Sequence, residues 1–316
     1  MIQTAGASGS AFAETWPSKP IKLMVPYLAG GPSDAIARIV SAPLAKELGQ
    51  QVIVENLGGA SGTLAAQKVL AAPADGYYLF QGTVNEVILA PLVNRAITLR
   101  SEDFRLVHPV ADQVVVFVTR KDLPVTSVDG LIELAKKKSE RPLTCGSAGV
   151  GSLYHFVLED VQQRTGIKLQ HMPYEGNAPL LQDIGSGQVD FAVLSYSAST
   201  GSLADQGKLK VIAQFGAQRS ESLKDVPTVS EGQTLKTFGC RIWSGFMVPE
   251  ATPELVVQRL HTAIGELLQD PIVRAQLAAQ TQLAAAAMSL GEASRFFESE
   301  TEHYRAIAKA INLRPE

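Results

Sequence analysis

A strand, a glycine-rich turn and a helix follow one another near the start of this chain, and this order constrains the fold more than any other feature. Ile21–Pro26 is a short apolar run typical of a buried strand, and the turn after it contains Gly30 and Gly31. Apolar residues then recur at helical spacing until Gly49, with Ser33 or Asp34 as the expected N-cap. Repetition of this unit predicts a parallel sheet covered by helices.

The same order returns in the second half of the chain. The predicted strand Leu143–Cys145 leads into a glycine-rich turn at residues 146–152, and a helix begins at Leu153. We therefore predict an α/β fold, with two doubly wound domains joined by a hinge that the chain crosses twice. The predicted boundaries are a leader over residues 1–18, a first domain over 19–118 and 217–316, and a second domain over 119–216. A ligand is expected in the cleft between two such domains.

Composition excludes several classes of function. The chain has 28 basic and 31 acidic residues, so it lacks the basic excess that would neutralise a nucleic-acid backbone. No apolar run approaches the roughly 20 residues of a membrane-spanning helix. Ala11-Phe12-Ala13 has the form of a signal-peptidase site, which we interpret as the end of an export signal and which predicts a periplasmic protein. Cys145 and Cys240 are the only cysteines, and their spacing leaves open whether they pair.

The glycine turns are suited to binding an anion. A helix N-terminus carries unpaired backbone N–H groups and a partial positive charge, and glycine lets an anion approach them without a Cβ in the way. Such turns are predicted at residues 30–33, 82–83 and 146–152, where Ser33, Thr83, Ser147 and Ser152 add hydroxyl donors. The other interpretation is that these glycines only make tight turns. Because three turns stand at equivalent strand ends, we favour a binding site for a carboxylate.

Enzyme chemistry finds less support in the sequence. The chain contains no G-x-S-x-G nucleophile elbow, Walker A motif or G-x-G-x-x-G fingerprint. Its five histidines form no i, i+4 pair with one another, and no cysteine or carboxylate spacing indicates a metal site. Ser152 and His155 could be imagined as a catalytic pair, but a structural role for His155 is the favoured interpretation. We therefore predict no catalysis, no metal and no cofactor.

Several motifs together resemble one family, the Bug family of receptors that serve tripartite tricarboxylate transporters. The resemblance covers residues 16–311. Its marks are Trp16-Pro17-Ser18-Lys19-Pro20-Ile21, Val25-Pro26-Tyr27, Gly30-Gly31-Pro32-Ser33-Asp34 with Ala37-Arg38, Val54-Glu55-Asn56, Ala72-Pro73-Ala74-Asp75-Gly76-Tyr77, Ser147-Ala148-Gly149 with His155, Pro173-Tyr174-Glu175-Gly176, Gly187-Gln188-Val189-Asp190 and Asp225-Val226-Pro227-Thr228. Each motif is weak alone, but their order and spacing are specific.

This resemblance implies a periplasmic-binding-protein type II fold, a monomer, and a small carboxylate that is delivered to the permease subunits of a tripartite tricarboxylate transporter. It also implies a set of ligand-binding residues. These are Tyr27, Ala29, Gly30, Ser33, Thr83, Ser147, Ala148, Gly149, Ser152 and Asn177. The family commonly binds one carboxylate through the first and third turns.

Departures from the family bear on the ligand. Tyr27 stands where the family usually has Phe, and Leu194-Ser195 stands where relatives often have Asp-Asn. Leu194 is interpreted as arguing against a ligand ammonium group and for an apolar middle, and Ser195 joins the predicted ligand-binding residues. Arg241 could clamp a distal carboxylate, although exposure to solvent is favoured, and Tyr154 and Tyr196 could line the cleft or simply pack.

The sequence therefore predicts a receptor for a dicarboxylate. An aromatic acid such as terephthalate or another phthalate isomer is the first choice, and a C4 to C6 aliphatic acid is the second. One alternative is a sensor with the same cleft that signals to a membrane kinase. An enzyme on this fold, built around Ser152 and His155, is the last alternative.

Overall fold

The computed structural model describes residues 16–310, apart from positions 139, 148, 175, 217, 237, 239 and 241. The chain divides into two compact units. Unit 1 takes residues up to Ala111 together with Trp243–Ala279 and Ala284–Tyr304. Unit 2 takes Asp112–Ile242, Gln280–Leu283 and the residues from Arg305 onward. The chain leaves unit 1 after Ala111 and first returns to it after Ile242. The sequence analysis predicted that the chain leaves the first domain after residue 118 and returns after residue 216.

Strands and helices alternate along most of the chain. The strands are β1 (Ile21–Val25), β2 (Val52–Asn56), β3 (Tyr78–Thr83), β4 (Phe104–Gln113), β5 (Val115–Arg120), β6 (Leu143–Ser147), β7 (Leu169–Pro173), β8 (Phe191–Ser195), β9 (Leu209–Gln214), β10 (Ile242–Pro249) and β11 (Gln282–Ala284). The helices are α1 (Pro32–Leu48), α2 (Thr63–Leu70), α3 (Ala90–Val93), α4 (Val128–Lys137), α5 (Leu153–Thr165), α6 (Asn177–Ser186), α7 (Ala198–Asp205), α8 (Glu254–Leu267), α9 (Pro271–Ala279) and α10 (Leu290–Ala310). Among the residues described, no helix is both long and apolar enough to cross a bilayer.

The sheet of unit 1 has the strand order β11-β4-β10-β3-β1-β2. Strands β2 and β3 flank β1 in parallel register, so the glycine turns after β1 and β3 leave the same edge of the sheet. Strand β10 runs antiparallel to β3, with Ser244 opposite Thr83. The sheet is therefore mixed: β1, β2 and β3 form the predicted parallel part, whereas β10 enters without the crossover helix that makes neighbouring strands parallel.

Helix α1 covers one face of this sheet with a stripe of buried side chains that includes Ile36, Val40 and Leu44, and the core also contains residues of α8 and α9. Trp16 and Ser18, which the predicted leader included, pack in unit 1. Trp16 is 4% exposed, its ring lies 5.9 Å from that of Tyr77, and the backbone N–H of Ser18 donates to the Tyr77 hydroxyl at 2.8 Å.

The sheet of unit 2 has the order β7-β6-β8-β5-β9. Strand β6 pairs in parallel with β7 and β8, whereas β5 is antiparallel to β8 and β9, so this sheet is also mixed. Its core includes Val116, Val118, Leu180 and Leu194. The alternation of the sequence places the turn after β6 directly before α5, as the turn after β1 stands directly before α1.

Candidate functional site

The turn between β1 and α1 supplies the candidate site of unit 1. Gly30 has φ +90°, a conformation that L side chains rarely adopt, and Gly31 is the N-cap of α1 without a side-chain capping bond. The sequence analysis expected Ser33 or Asp34 as the N-cap, and this prediction was wrong. Pro32 begins the helix, because its fixed φ suits a first helical position and its missing N–H is not needed there.

Asp34 fastens this turn to its helix instead. Its Oδ2 accepts the backbone N–H of Gly30 at 2.9 Å and Nε of Arg38, one helical turn later, also at 2.9 Å. The bond from Arg38 is the main reason that the pKa of Asp34 lies below its usual value. From the neighbouring strand, Nδ2 of Asn56 donates to the backbone carbonyl of Tyr27 at 3.0 Å. The turn is therefore held on both sides.

The predicted donors of this turn differ in accessibility. Ala29 and Gly30 are exposed, whereas Tyr27 is half-buried. Ser33 is 4% exposed, and its hydroxyl has no hydrogen-bond partner within the part of the chain that the structure describes. This hydroxyl lies in the first turn of α1, where the helix N–H groups have no intrahelical partner, so it can add a donor to them.

The turn after β3 brings Thr83 together with a residue that the sequence analysis missed, Glu86. The backbone N–H of Thr83 donates to Oε2 of Glu86 at 2.6 Å, and the Tyr27 hydroxyl donates to Oε1 of the same carboxyl. Glu86 is fully buried, and this burial raises its pKa. A lone acidic residue in the apolar run after Thr83 was the sequence signal that could have identified it.

The turn between β6 and α5 supplies the candidate site of unit 2. Ser152 is the N-cap of α5, and its Oγ accepts the backbone N–H of His155 at 3.4 Å. The hydroxyls of Ser147 and Ser152 both donate to the carbonyl of Gly149, at 3.1 and 2.8 Å. Gly149 itself has φ +110°. These two hydroxyls hold the loop in shape. The backbone N–H of Ser152 also donates to the Gly149 carbonyl, and that of Gly151 donates to His155, so the N–H groups of Gly149 and Val150 are the donors of residues 149–152 without a partner among the described residues. Ala148 lies outside the described residues.

Two histidines lie beside this loop. The rings of His155 and His171 stack with their centroids 4.3 Å apart, and Nε2 of His171 lies 2.7 Å from Oγ of Ser147. Nδ1 of His155 accepts the backbone N–H of Gly151 at 3.2 Å. Desolvation lowers the pKa of both imidazoles, that of His171 to about 4, where the neighbouring His155 contributes as well. His155 therefore shapes the loop, which is the structural role that the sequence analysis favoured.

Three further predicted residues meet in unit 2. The Tyr154 hydroxyl lies 2.7 Å from Oγ of Ser195, which in turn donates to Oε1 of Gln113 at 2.6 Å. Nδ2 of Asn177 donates to the backbone carbonyl of Ser195 at 3.4 Å. Gln113 is a member of this polar group that the sequence analysis did not name.

The remaining predicted residues lie elsewhere. Tyr196 packs against the core of unit 2, and its hydroxyl lies 2.5 Å from the place that a Cβ on Gly201 would occupy. Leu194 is fully buried in the same core, so its contacts do not support its use as an indicator of the ligand's apolar middle. Arg241 lies outside the described residues.

The chemistry available in both turns is that of neutral hydrogen-bond donors. Among the described residues, no three His, Cys, Asp or Glu side chains form a group that could hold a metal ion. No disulfide joins Cys145 and Cys240, and burial raises the pKa of the Cys145 thiol to about 12, so this thiol stays protonated. Backbone N–H groups at helix N-termini and hydroxyls are suited to binding a carboxylate or another small anion.

Comparison with known proteins identifies the family of this chain. Residues 36–313 match the model described as "Tripartite tricarboxylate transporter family receptor". A curated relative from Agrobacterium vitis, the "UPF0065 protein in the TAR-I ttuE-ttuC' intergenic region", is 35% identical over 260 residues, which are 82% of this chain and 74% of the relative.

Two solved structures from Rhodopseudomonas palustris are also similar. Rpa4515, solved with adipate, is 29% identical with a TM-score of 0.85 and covers 95% of this chain and 100% of its own. MatC, solved with bound malate, is 26% identical with a TM-score of 0.79 and covers 92% of this chain and 99% of its own. These likenesses confirm the predicted periplasmic-binding-protein type II fold. The chain belongs to the receptor family of the tripartite tricarboxylate transporters and is a solute-binding protein of the TctC and Bug type.

Proposed function

We propose that this protein is a periplasmic receptor that captures a small dicarboxylate and delivers it to the permease subunits of a tripartite tricarboxylate transporter. The observation that carries the proposal is the pair of glycine turns before α1 and α5. Each turn places backbone N–H groups at the N-terminus of a helix of 13 or more residues, where a carboxylate is favoured over a neutral group.

An aliphatic dicarboxylate is the ligand class with the most support. The solved relatives were determined with adipate and with malate, which are both aliphatic dicarboxylates. The aromatic subclass depended on Leu194, and that residue is enclosed in the core. We therefore place C4 to C6 aliphatic acids ahead of terephthalate and the other phthalate isomers.

The cellular setting follows from the family. A receptor of a tripartite transporter works outside the cytoplasmic membrane, and Ala11-Phe12-Ala13 supplies an export-signal motif, although these three residues lie outside the described part of the chain. We propose that the receptor acts as a monomer and uses no cofactor.

A thermal-shift screen of the purified protein tests the proposal. The panel contains succinate, malate, adipate, terephthalate, the diamide of adipic acid and a set of amino acids. A ligand at 100 times its Kd stabilises the folded protein by about 2.7 kcal/mol, which raises the melting temperature by several degrees. We expect this shift with an aliphatic dicarboxylate and none with the diamide. Shifts confined to amino acids, or an equal shift with the diamide, would contradict the proposal.

A serine pair on α1 provides the matched variants. Ser33→Ala removes the unpaired hydroxyl in the first turn, and Ser41→Ala removes an outer hydroxyl that donates to the Arg38 carbonyl of the same helix at 3.2 Å. A hydrogen bond to a charged group contributes about 1.5–3 kcal/mol, so Ser33→Ala should raise the Kd about 10- to 100-fold. Ser41→Ala should leave the Kd unchanged. Equal affinities of the two variants would remove Ser33 from the site.

A further inference from the structure

Glu86 is a buried acidic residue whose carboxyl bonds two residues of the candidate site of unit 1, Tyr27 and Thr83. It lies in the π-helical turn Asn85–Leu89 that follows β3, and its side chain is fully buried. The turn 60–62 packs against it closely. A Cβ built on Gly62 would lie 2.4 Å from Cγ of Glu86 and 2.9 Å from Cβ of Pro26. The side chain of Glu86 is therefore closely packed against this turn.

Both oxygens of this carboxyl hold donors that the family resemblance assigns to the ligand. One oxygen accepts the Tyr27 hydroxyl and the other accepts the backbone N–H of Thr83 at 2.6 Å. The Glu86 carboxyl thus accepts the same two hydrogen bonds, from the Tyr27 hydroxyl and the Thr83 amide, that a ligand carboxylate would accept there. Two carboxylates cannot share these donors without a proton between them, because like charges at close range repel strongly in a buried site.

The charged groups on the neighbouring elements are engaged elsewhere. Lys68, the charged residue of α2, donates to Glu55 at 3.2 Å. The titratable residue of β3 is Tyr78, whose hydroxyl accepts a hydrogen bond from Nζ of Lys22. In the first turn of α1, Asp34 is paired with Arg38. The turn 60–62 and α3 contain no titratable side chain. The contacts of Glu86 that raise or lower its pKa come from Tyr27, Thr83 and its own backbone, so a cation does not offset its burial.

We propose that Glu86 is a specificity-determining residue, whose carboxyl competes with the ligand for the Tyr27 hydroxyl and the Thr83 amide, so that a carboxylate binds in unit 1 only together with one proton. This inference rests on the proposed function and goes further, because it states which residue couples ligand capture to pH. A group that must be protonated for binding makes the affinity fall about tenfold per pH unit above its pKa.

The binding arm of the test measures the Kd of adipate between pH 5 and pH 9 for three proteins: the wild type, Glu86→Gln and Glu292→Gln. Glutamine keeps the shape of the side chain and carries no charge. Glu292 is an exposed carboxylate that accepts the backbone N–H of Ser289 at the start of α10. We expect the affinity of the wild type and of Glu292→Gln to break and then fall about tenfold per pH unit. Glu86→Gln should bind equally well over the whole range. A wild-type profile without a break, or the same break in Glu86→Gln, would overturn the inference.

The second arm needs no ligand. Denaturant unfolding of the wild type and of Glu86→Gln is compared at each pH. Because burial raises the pKa of Glu86 in the folded state, the wild type should lose stability relative to Glu86→Gln as the pH rises from 5 toward the folded pKa. Parallel stability profiles would overturn the inference even if adipate binds. Failure of every carboxylate in the screen would instead contradict the proposed function, while this arm still decides whether Glu86 holds a proton.

Discussion

The bond between Tyr27 and Glu86 gives the stability prediction that the structure specifies in most detail. Tyr27→Phe removes the hydroxyl that donates to Oε1 of Glu86 and changes little else in the side chain. The carboxyl keeps its bonds from Thr83 and from its own backbone, so a fully buried carboxyl loses one of its donors. Leaving a buried acceptor without its partner costs about 1–3 kcal/mol.

A loss of this size is measurable. For a domain of roughly 150–250 residues, 1 kcal/mol changes the melting temperature by about 2–4 °C, so Tyr27→Phe should melt about 2–12 °C below the wild type. The assay is calorimetry without ligand.

The matched control is Tyr78→Phe. This substitution removes a half-buried hydroxyl that accepts Nζ of Lys22 at 3.1 Å, and it leaves no buried group unpaired. Surface changes of this kind usually stay within about 0.5 kcal/mol. If Tyr27→Phe melts within 1 °C of the wild type, or no lower than Tyr78→Phe, the argument about the buried carboxyl is refuted.

Two further predictions concern the loops around the candidate sites. The pKa of His171 lies near 4 in the folded protein and near 6.5 when unfolded, so the unfolded state binds more protons between these values and the wild type should lose stability as the pH falls through that window. In urea titrations between pH 7 and pH 4, His171→Gln should lose less than the wild type, and equal slopes would show that His171 does not contribute. Gly62→Ala should destabilise unit 1 by more than about 1 kcal/mol, because φ is +85° and the new Cβ would meet Glu86 and Pro26. Gly185→Ala, in the last turn of α6 with open space around it, should instead stabilise by up to about 1 kcal/mol, and a similar effect of both changes on the unfolding midpoint would contradict this account.

The elements with a clear period were predictable from the sequence. Strands β1 and β6 begin at the predicted residues Ile21 and Leu143, and α5 begins at the predicted Leu153. The glycine turns before α1 and α5 stand where the sequence analysis placed them. Apolar periodicity and turn residues are local properties, so they can be identified without knowledge of the partners in space.

Strands β4 and β10 were missed for the opposite reason. β4 contains arginine, histidine, proline and aspartate, and β10 contains Trp243, Ser244 and Gly245, so neither sequence reads as an apolar run. Burial between neighbouring strands decides their conformation, and this tertiary context overrides local propensity. The antiparallel direction of β10 could not be predicted either, since no local pattern encodes it.

The candidate sites show the same limit. The sequence identified which turns could bind an anion, because glycine and hydroxyl residues at strand ends are visible in it. It could not indicate that the hydroxyls of Ser147 and Ser152 are used within their own loop, or that Glu86 occupies the donors of Tyr27 and Thr83. These are contacts between residues on different elements, and they exist only once the chain has folded.

A crystal structure of the complex with the carboxylate that gives the largest thermal shift would test the central claim most directly. The account predicts carboxylate oxygens about 2.7–3.2 Å from backbone N–H groups of the turn 29–33 in unit 1 or of the turn 149–152 in unit 2. A carboxylate bound with no oxygen within that distance of either turn would contradict it.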